Sequence, residues 1–192
     1  MTLIATASQT IGPFFHFGLG HPEWTDLTAA GPTGARIHIE GQVLDGDRAP
    51  LDDALIEIWQ ANAAGKYDHP EDSQDKPVDP KFHGFGRCGT DASGWFRFTT
   101  IKPGRVPGPG NTLQAPHIDV SVFARGLLKR LVTRIYFADE AANDADPILS
   151  RIQDPNVRQT LLAVPTGERG PVITYRFDII LQGEGETAFF EI

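Results

Sequence analysis

The high content of glycine and proline is the sequence feature that most constrains the fold of this chain. Of its 192 residues, 20 are glycine and 15 are proline. Both residue types interrupt helices, so most of the chain must form short segments joined by turns. Several runs between these breaks are rich in β-branched and aromatic residues, and apolar side chains alternate in them. We therefore predict a mainly β protein, an antiparallel β-sandwich with long loops and one or two short helices.

Seven segments have a strand pattern. The first begins at Arg36, and the others are residues 54–60, 95–99, 117–124, 131–137 and 173–182, with 189–190 as a candidate edge. Gly41 interrupts the first segment and is interpreted as a β-bulge. In the second, Glu57 shares a face with Leu55 and Trp59. It is either an acid at a sheet edge or a buried carboxylate with a dedicated partner.

One helix is indicated near residue 154, where Asp154 is a suitable N-cap and Pro155 occupies the first helical position. Val157, Leu161 and Leu162 continue it as an apolar stripe. A second short helix is expected over 148–153. The acidic group Asp139, Glu140, Asp144 and Asp146 lacks the central glycine of a calcium loop, so we interpret it as a solvated loop.

The length favours a single domain over residues 1–192. Residues 1–35 have no steady periodicity and contain the aromatic stretch Phe14-Phe15-His16-Phe17. An apolar arm of this kind is costly to leave in water, so it must pack on its own domain or on a partner chain.

Charge and cysteine content exclude several functional classes. The net charge of −8 opposes binding to nucleic acid and to anionic membranes. The chain has no apolar run of membrane-spanning length. Cys88 is the only cysteine, so no disulfide can form within the chain. We predict a cytoplasmic protein.

His117 and Asp119 are the most suggestive pair for chemistry. Two residues apart on a strand, they point to the same side. With His83 or Tyr67 they could complete a ferrous iron site, although such a pair is more often only hydrogen-bonded. Tyr67 is either a packed aromatic residue or, as a phenolate, a ligand for ferric iron.

Two arginines could bind a carboxylate through a bidentate fork. They are Arg125, in the sequence FARG, and Arg134, in TRIYF; the simpler interpretation of each is a surface arginine. Thr10 and the backbone at Gly12 offer neutral donors that could help to hold the same anion.

The order of several motifs identifies a family resemblance. Residues 39–67 read IEGQVLDGDRAPLDDALIEIWQANAAGKY, and they are followed by GRC at 86–88, TD at 90–91, IKPG at 101–104, PHI at 116–118 and YRFDI at 175–179. This pattern resembles the intradiol ring-cleavage dioxygenases over nearly the whole chain. The resemblance implies a β-sandwich and an oxygenase that opens aromatic rings.

The resemblance also implies that this chain lacks a complete metal site. Members of the family hold ferric iron with two tyrosines and two histidines. Tyr67 and His117 match one of each, but Val106 and Asp119 stand at the other two ligand positions. Gln114 replaces the arginine that usually precedes the histidines. The resemblance therefore implies degenerate metal positions, with no metal ligand set and no catalytic residue in this chain.

Within the family, the chain resembles the iron-free alpha type of subunit, which pairs with a homologous iron-bearing beta subunit. The resemblance then implies that Thr10, Gly12 and Arg125 bind the substrate and that the arm 1–35 packs on the partner. Ferric iron in the beta subunit would cleave protocatechuate with O2 to 3-carboxy-cis,cis-muconate. Two alternatives stay open: a self-sufficient ferrous oxygenase using His117 and Asp119, and a non-catalytic assembly module.

Overall fold

The computed structural model describes residues 4–168 and 172–191. Within these residues the chain forms nine strands: β1 Arg36–Leu44, β2 Leu55–Trp59, β3 Phe85–Gly89, β4 Trp95–Ile101, β5 His117–Phe123, β6 Leu131–Phe137, β7 Leu162–Glu168, β8 Ile173–Arg176 and β9 Ile179–Ile180. The two α-helices are α1 Pro13–Leu19 and α2 Pro155–Gln159. Three short 3-10 helices cover Pro22–Thr25, Ala141–Ala145 and Leu149–Arg151. The predicted mainly β class is confirmed.

The strands form a mixed sheet that folds over on itself. Its order is β3-β2-β5-β6-β7-β8-β1-β4, and β9 pairs with the end of β1. Most neighbours are antiparallel, but β6–β7, β1–β8 and β1–β9 are parallel. Apolar side chains from both halves of the sheet, such as Ile39, Phe98, Ile118 and Ile135, belong to one buried cluster. This shared core confirms the sandwich, with parallel pairings that the sequence did not predict.

Strand β5 shows how alternation positions side chains. Ile118, Val120 and Val122 point into the core and are buried, as expected from a period of two residues. His117 and Asp119 therefore lie together on the opposite face of the strand. This face of β5 therefore carries two of the predicted site residues.

The segment after α1 covers the β4 edge of the sheet and also packs on β3. Asp26 forms a bridge with Thr99 of β4, and the Leu27 amide donates to the Thr99 carbonyl at 2.9 Å. On the other side, Trp24 packs under the Arg87 guanidinium of β3 at 4.9 Å from its ring centroid. Exposed strand edges favour aggregation, so this cover protects the monomer.

Several local predictions are decided by the structure. Glu57 is the carboxylate with a dedicated partner, because Arg87 Nε donates to its Oε1 at 2.8 Å. Asp154 caps α2 by accepting from the Asn156 amide at 2.8 Å, as predicted. However, α2 ends at Gln159, so Leu162 belongs to β7 and the longer apolar stripe was wrong.

Other strand predictions need correction. The predicted strand 173–182 is divided into β8 and β9 because the side chain of Asp178, in place of a main-chain carbonyl, accepts from the Gln42 amide at 2.8 Å. Residues 189–190 form no strand within the described residues; Phe190 makes one backbone hydrogen bond, to Val132 at 2.8 Å. The helix expected over 148–153 is only a 3-10 turn over Leu149–Arg151.

Gly41 is not a bulge. It pairs in regular register with Phe96 in the β1–β4 ladder. A side chain is excluded at this position because a Cβ would lie 1.7 Å from the Phe177 carbonyl oxygen. The glycine therefore permits a close backbone approach and does not mark an irregularity.

We expect Gly41→Ala to lower the free energy of unfolding by about 3 kcal/mol or more, because the backbone of Phe177 must move. Urea denaturation measures this change. Gly18→Ala is the matched control, since a Cβ at this α1 position meets no atom within 4 Å. Similar losses for the two variants would contradict the close-approach argument.

Candidate functional site

The predicted site residues form two groups at opposite ends of β5. His117 is the first residue of the strand, whereas Arg125 lies two residues beyond its last residue, Phe123. A seven-residue strand is roughly 20 Å long. The first group contains the degenerate metal positions, and the second contains Thr10, Gly12 and Arg125.

We call the first group the degenerate cluster, defined as Tyr67, Val106, His117, Asp119 and Arg134. Arg134 of β6 is the register partner of Asp119 of β5, so both side chains point to the same face. Arg134 Nε donates to Asp119 Oδ1 at 2.8 Å, and the two side chains are only 22% and 31% exposed. The Asp119 carboxylate thus binds a guanidinium.

Arg134 also contacts the neighbouring loop. Its Nη1 donates to Gln114 Oε1 at 2.7 Å. The resemblance implies an arginine at position 114, and here a guanidinium from another strand lies against the glutamine instead. The structure therefore retains a positive charge in this region, although it comes from β6.

His117 is a buried, neutral imidazole. Its Nδ1 donates to the Ala115 carbonyl at 2.8 Å, and Nε2 is buried without a hydrogen-bond partner in the described part of the chain. Burial lowers the pKa of His117, although the Asp119 carboxylate partly opposes this shift. The Nε2 atom is consequently an unpaired acceptor.

Tyr67 is held in place but remains a neutral phenol. Its ring stacks on Trp59 with centroids 5.9 Å apart, and its amide donates to Asp72 Oδ2 at 2.8 Å. Lys66, next to it in sequence, pairs with the same carboxylate at 3.3 Å. Burial raises the pKa of Tyr67 well above its ordinary value, and the Asp119 carboxylate raises it further.

These residues do not fit ferric iron. Val106 is 3% exposed and has no donor atom, while Asp119 is already bound to Arg134. The half-buried Arg134 guanidinium repels a cation, and burial together with the Asp119 carboxylate makes the Tyr67 phenol hard to ionise. Across residues 4–168 and 172–191, no group of three or more His, Cys, Asp or Glu side chains could hold a metal.

The ferrous alternative gains no support. His83 is exposed and bonds Asp68 through Nδ1 at 2.7 Å. A cavity of about 420 Å³ lies beside the degenerate cluster, lined in part by Trp59 and Tyr67. Asp72 also lines it, which opposes an anionic guest.

The second group lies where the N-terminal arm meets the turn after β5. The Gly126 amide donates to Thr10 Oγ1 at 2.7 Å, and the Phe15 ring packs on Phe123 with centroids 5.4 Å apart. Thr10, Gly12 and Arg125 are all exposed. The structure therefore brings these three predicted residues to one edge of the domain.

Sequence analysis missed the supports of the degenerate cluster. Asp146, interpreted as part of a solvated loop, is fully buried. It accepts from the backbone amides of Ala115, Ile148 and Leu149 at 2.7, 2.8 and 2.8 Å, so it ties two loops together. The Tyr136 hydroxyl lies 3.4 Å from both Asp146 and Arg134.

The contact between Arg134 and Asp119 was also missed. The register of the β5–β6 hairpin is the sequence signal that could have placed the two residues opposite each other.

None of the helices in the described residues is long and apolar enough to cross a bilayer.

Comparison with known proteins connects this geometry to a family. A family model described as Dioxygenase matches residues 12–183. The protocatechuate 3,4-dioxygenase alpha chain of Pseudomonas putida is 42% identical over 97% of this chain and 96% of its own length. The alpha chain of the same enzyme from Burkholderia cepacia is 40% identical over 100% of this chain and 99% of its own length. Its beta chain from that organism is 42% identical over 81% of this chain and 68% of its own length.

Solved structures have the same architecture. The dioxygenase domain of a carbohydrate-binding fusion protein from Streptomyces sp. SirexAA-E superposes with a TM-score of 0.63 at 29% identity, covering 85% of this chain and 88% of that domain. For 3-chlorocatechol 1,2-dioxygenase of Rhodococcus opacus 1CP the TM-score is 0.64 at 23% identity, covering 94% of this chain and 68% of that one. At this identity the similarity shows the shared fold alone. The chain therefore belongs to the intradiol dioxygenase family.

Proposed function

We propose that this chain is the alpha-type subunit of a protocatechuate 3,4-dioxygenase and that it completes an active site whose ferric iron is held by a homologous beta subunit. Full-length similarity to two alpha chains supports this assignment. The beta chain relative matches four-fifths of the same sequence, which is consistent with two partners built on one scaffold. Ring cleavage with O2 to 3-carboxy-cis,cis-muconate is the chemistry of the beta subunit's iron.

One observation carries the proposal: the substrate-type residues are separated from this chain's own degenerate cluster. Arg125 is 71% exposed at the far end of β5, and Thr10 is attached to the same turn. Roughly 20 Å of strand separates them from His117 and Asp119. These residues face outward, so they are suited to another chain's pocket.

The exposed residues have chemistry that suits an aromatic acid. A guanidinium can bind the carboxylate of protocatechuate through two parallel hydrogen bonds. Thr10 accepts from Gly126, which leaves its own O–H free to donate. Gly12 has open space where a side chain would be, so backbone and ligand can approach closely there.

The arm and the turn after β5 also provide apolar surface for a partner. Ile4, Phe14 and Leu128 are 91%, 85% and 63% exposed. Large exposed apolar side chains near functional residues are typical of subunit interfaces. We accordingly propose that residues 1–35, which belong to the single domain 1–192, pack on the beta subunit.

A cytoplasmic location belongs to the same proposal. Cys88 is half-buried, and burial raises the pKa of its thiol. A single unreactive thiol is suited to a reducing compartment.

The first prediction concerns metal content. The chain purified alone is expected to retain far less than one iron per molecule after ferric titration, because Val106 and Asp119 replace two ligands. The complex with the beta subunit is expected to hold iron and to show visible tyrosinate-to-iron absorption. Elemental analysis and absorption spectra of both preparations measure this. Stoichiometric iron with ring-cleaving activity in the lone chain would refute the proposal.

The second prediction concerns the substrate carboxylate. In the assembled complex, Arg125→Ala is expected to raise KM for protocatechuate about tenfold or more, because a charge-assisted bidentate contact is lost. KM for catechol, which has no carboxylate, is expected to change little. Arg130→Ala is the matched control, since Arg130 is an exposed arginine in the same turn. Equal changes for both substrates would argue against a carboxylate role.

The third prediction concerns the degenerate cluster. Arg134→Met leaves the Asp119 carboxylate unpaired and is expected to lower the free energy of unfolding by about 2 kcal/mol. The double variant R134M/D119N is expected to recover part of this loss. Arg97→Met breaks an exposed ion pair with Asp91 and is expected to cost clearly less stability than Arg134→Met. If the double variant shows no recovery, the ion pair is not the cause of the loss.

A further inference from the structure

A pair of acidic residues lies beside Arg125. Asp52 and Asp53 form the turn before β2, and Arg125 lies in the turn after β5. The two strands are antiparallel, with Leu55 opposite Phe123. This register brings the start of β2 to the end of β5, so residues far apart in sequence become neighbours.

The two acids differ in burial and in distance. Asp53 Oδ2 lies 3.0 Å from Arg125 Nε, and the Asp53 side chain is only 27% exposed. Asp52 Oδ1 lies 3.5 Å from Arg125 Nη2, and its side chain is 59% exposed. The remaining oxygen of Asp53, Oδ1, is buried without a hydrogen-bond partner among the described residues. Asp53 therefore makes the principal contact.

These contacts use one edge of the guanidinium and leave another open. Nη2 donates to Asp52, and Nε lies in ion-pair distance of Asp53, so the side of the planar fork that carries Nε and Nη2 lies against the two acids. Among the described residues no ion pair or hydrogen bond involves Nη1, so the outer edge formed by Nη1 and Nη2 remains available on a side chain that is 71% exposed. A carboxylate can bind this edge through two hydrogen bonds.

We propose that Asp53 is a positioning residue, which fixes the Arg125 guanidinium so that its outer edge faces the substrate carboxylate. This inference rests on the proposed function of Arg125. An exposed arginine samples many rotamers, and restricting it before the substrate arrives reduces the entropy lost on binding. Asp53 acts through Arg125 and does not touch the substrate.

Removing Asp53 has two opposing effects on KM for protocatechuate, so the direction of the change shows which effect is larger. Asp53 is negatively charged, so its removal also makes the local field more favourable to an anionic substrate. If the field dominates, loss of Asp53 tightens binding of the acid. If orientation dominates, as we propose, loss of Asp53 weakens it.

The test uses steady-state kinetics of the assembled, iron-loaded complex. Asp53→Ala is expected to raise KM for protocatechuate about three- to tenfold, the effect of releasing one long side chain. KM for catechol, which has no carboxylate, is expected to stay within about twofold of the parent value. Asp53→Asn keeps an oxygen that can accept from Nε, so it is expected to restore most of the affinity.

Two comparisons separate positioning from other effects. The double variant D53A/R125A is expected to be no worse than Arg125→Ala, because Asp53 has no role without the arginine. Asp144→Asn removes one exposed negative charge elsewhere and controls for net charge. Thermal melting of each complex shows whether the variant assembles. If Asp53→Ala does not assemble, Asp53→Asn is used instead. A small rise in KM for protocatechuate, without a rise for catechol, is then expected.

The outcomes are distinct. A lower or unchanged KM for protocatechuate in Asp53→Ala overturns the positioning role, and so do equal rises for both substrates. If only Asp53→Asn assembles, the absence of a selective rise in that variant overturns it. If Arg125→Ala is selective but the Asp53 variants are not, this inference fails and the proposed function stands. If Arg125→Ala itself shows no selectivity, the carboxylate role of Arg125 and the inference fail together.

Discussion

Antiparallel pairing of β5 on both of its sides is the constraint on which the site depends. On one side, β6 places Arg134 opposite Asp119. On the other, β2 places the turn containing Asp53 against Arg125. Each functional contact is therefore a consequence of strand register, and a slip of one residue would turn these side chains to the other face. A single strand thus organises both the degenerate cluster and the exposed edge with Arg125.

The degenerate cluster is held together by contacts that need no metal. A carboxylate that is largely buried needs a partner, because leaving it unpaired costs several times more than the net gain of an ordinary hydrogen bond. Arg134 provides that partner for Asp119, while Val106 fills its position with apolar volume. The loop carrying Tyr67 is fixed by Asp72 and Lys66, so its conformation needs no metal. These contacts within the chain fix the loop and the start of β5 relative to each other.

Local patterns predicted much of this structure. Alternation identified β1 and β5, and the capping chemistry of Asp154 identified the start of α2. The strands β3 and β7 were missed because glycine, proline and charged residues interrupt their periodicity. Helix α1 was missed for a similar reason, since its aromatic residues give no regular stripe. The parallel pairings could not be inferred because they join segments that are distant in sequence.

For the candidate site, the sequence predicted part of the grouping but not the contacts that hold it. Thr10 and Arg125 were predicted together from the resemblance, and the hydrogen bond from Gly126 to Thr10 shows how they meet. The role of Arg134 was left open between a carboxylate clamp and a surface arginine. Its burial against Asp119 depends on hairpin register, which motif reading did not include. Burial of Asp146 likewise depends on backbone amides from two loops, which residue types alone do not reveal.

The attachment of the arm to its own domain has a consequence for the kinetics of assembly. Thr10 is tied to the turn after β5, and Phe15 is packed on Phe123, before any second chain arrives. This segment has therefore lost much of its conformational entropy before the subunits associate. Encounter between subunits then resembles the docking of two preformed surfaces, and its rate is governed by diffusion and orientation more than by coupled folding.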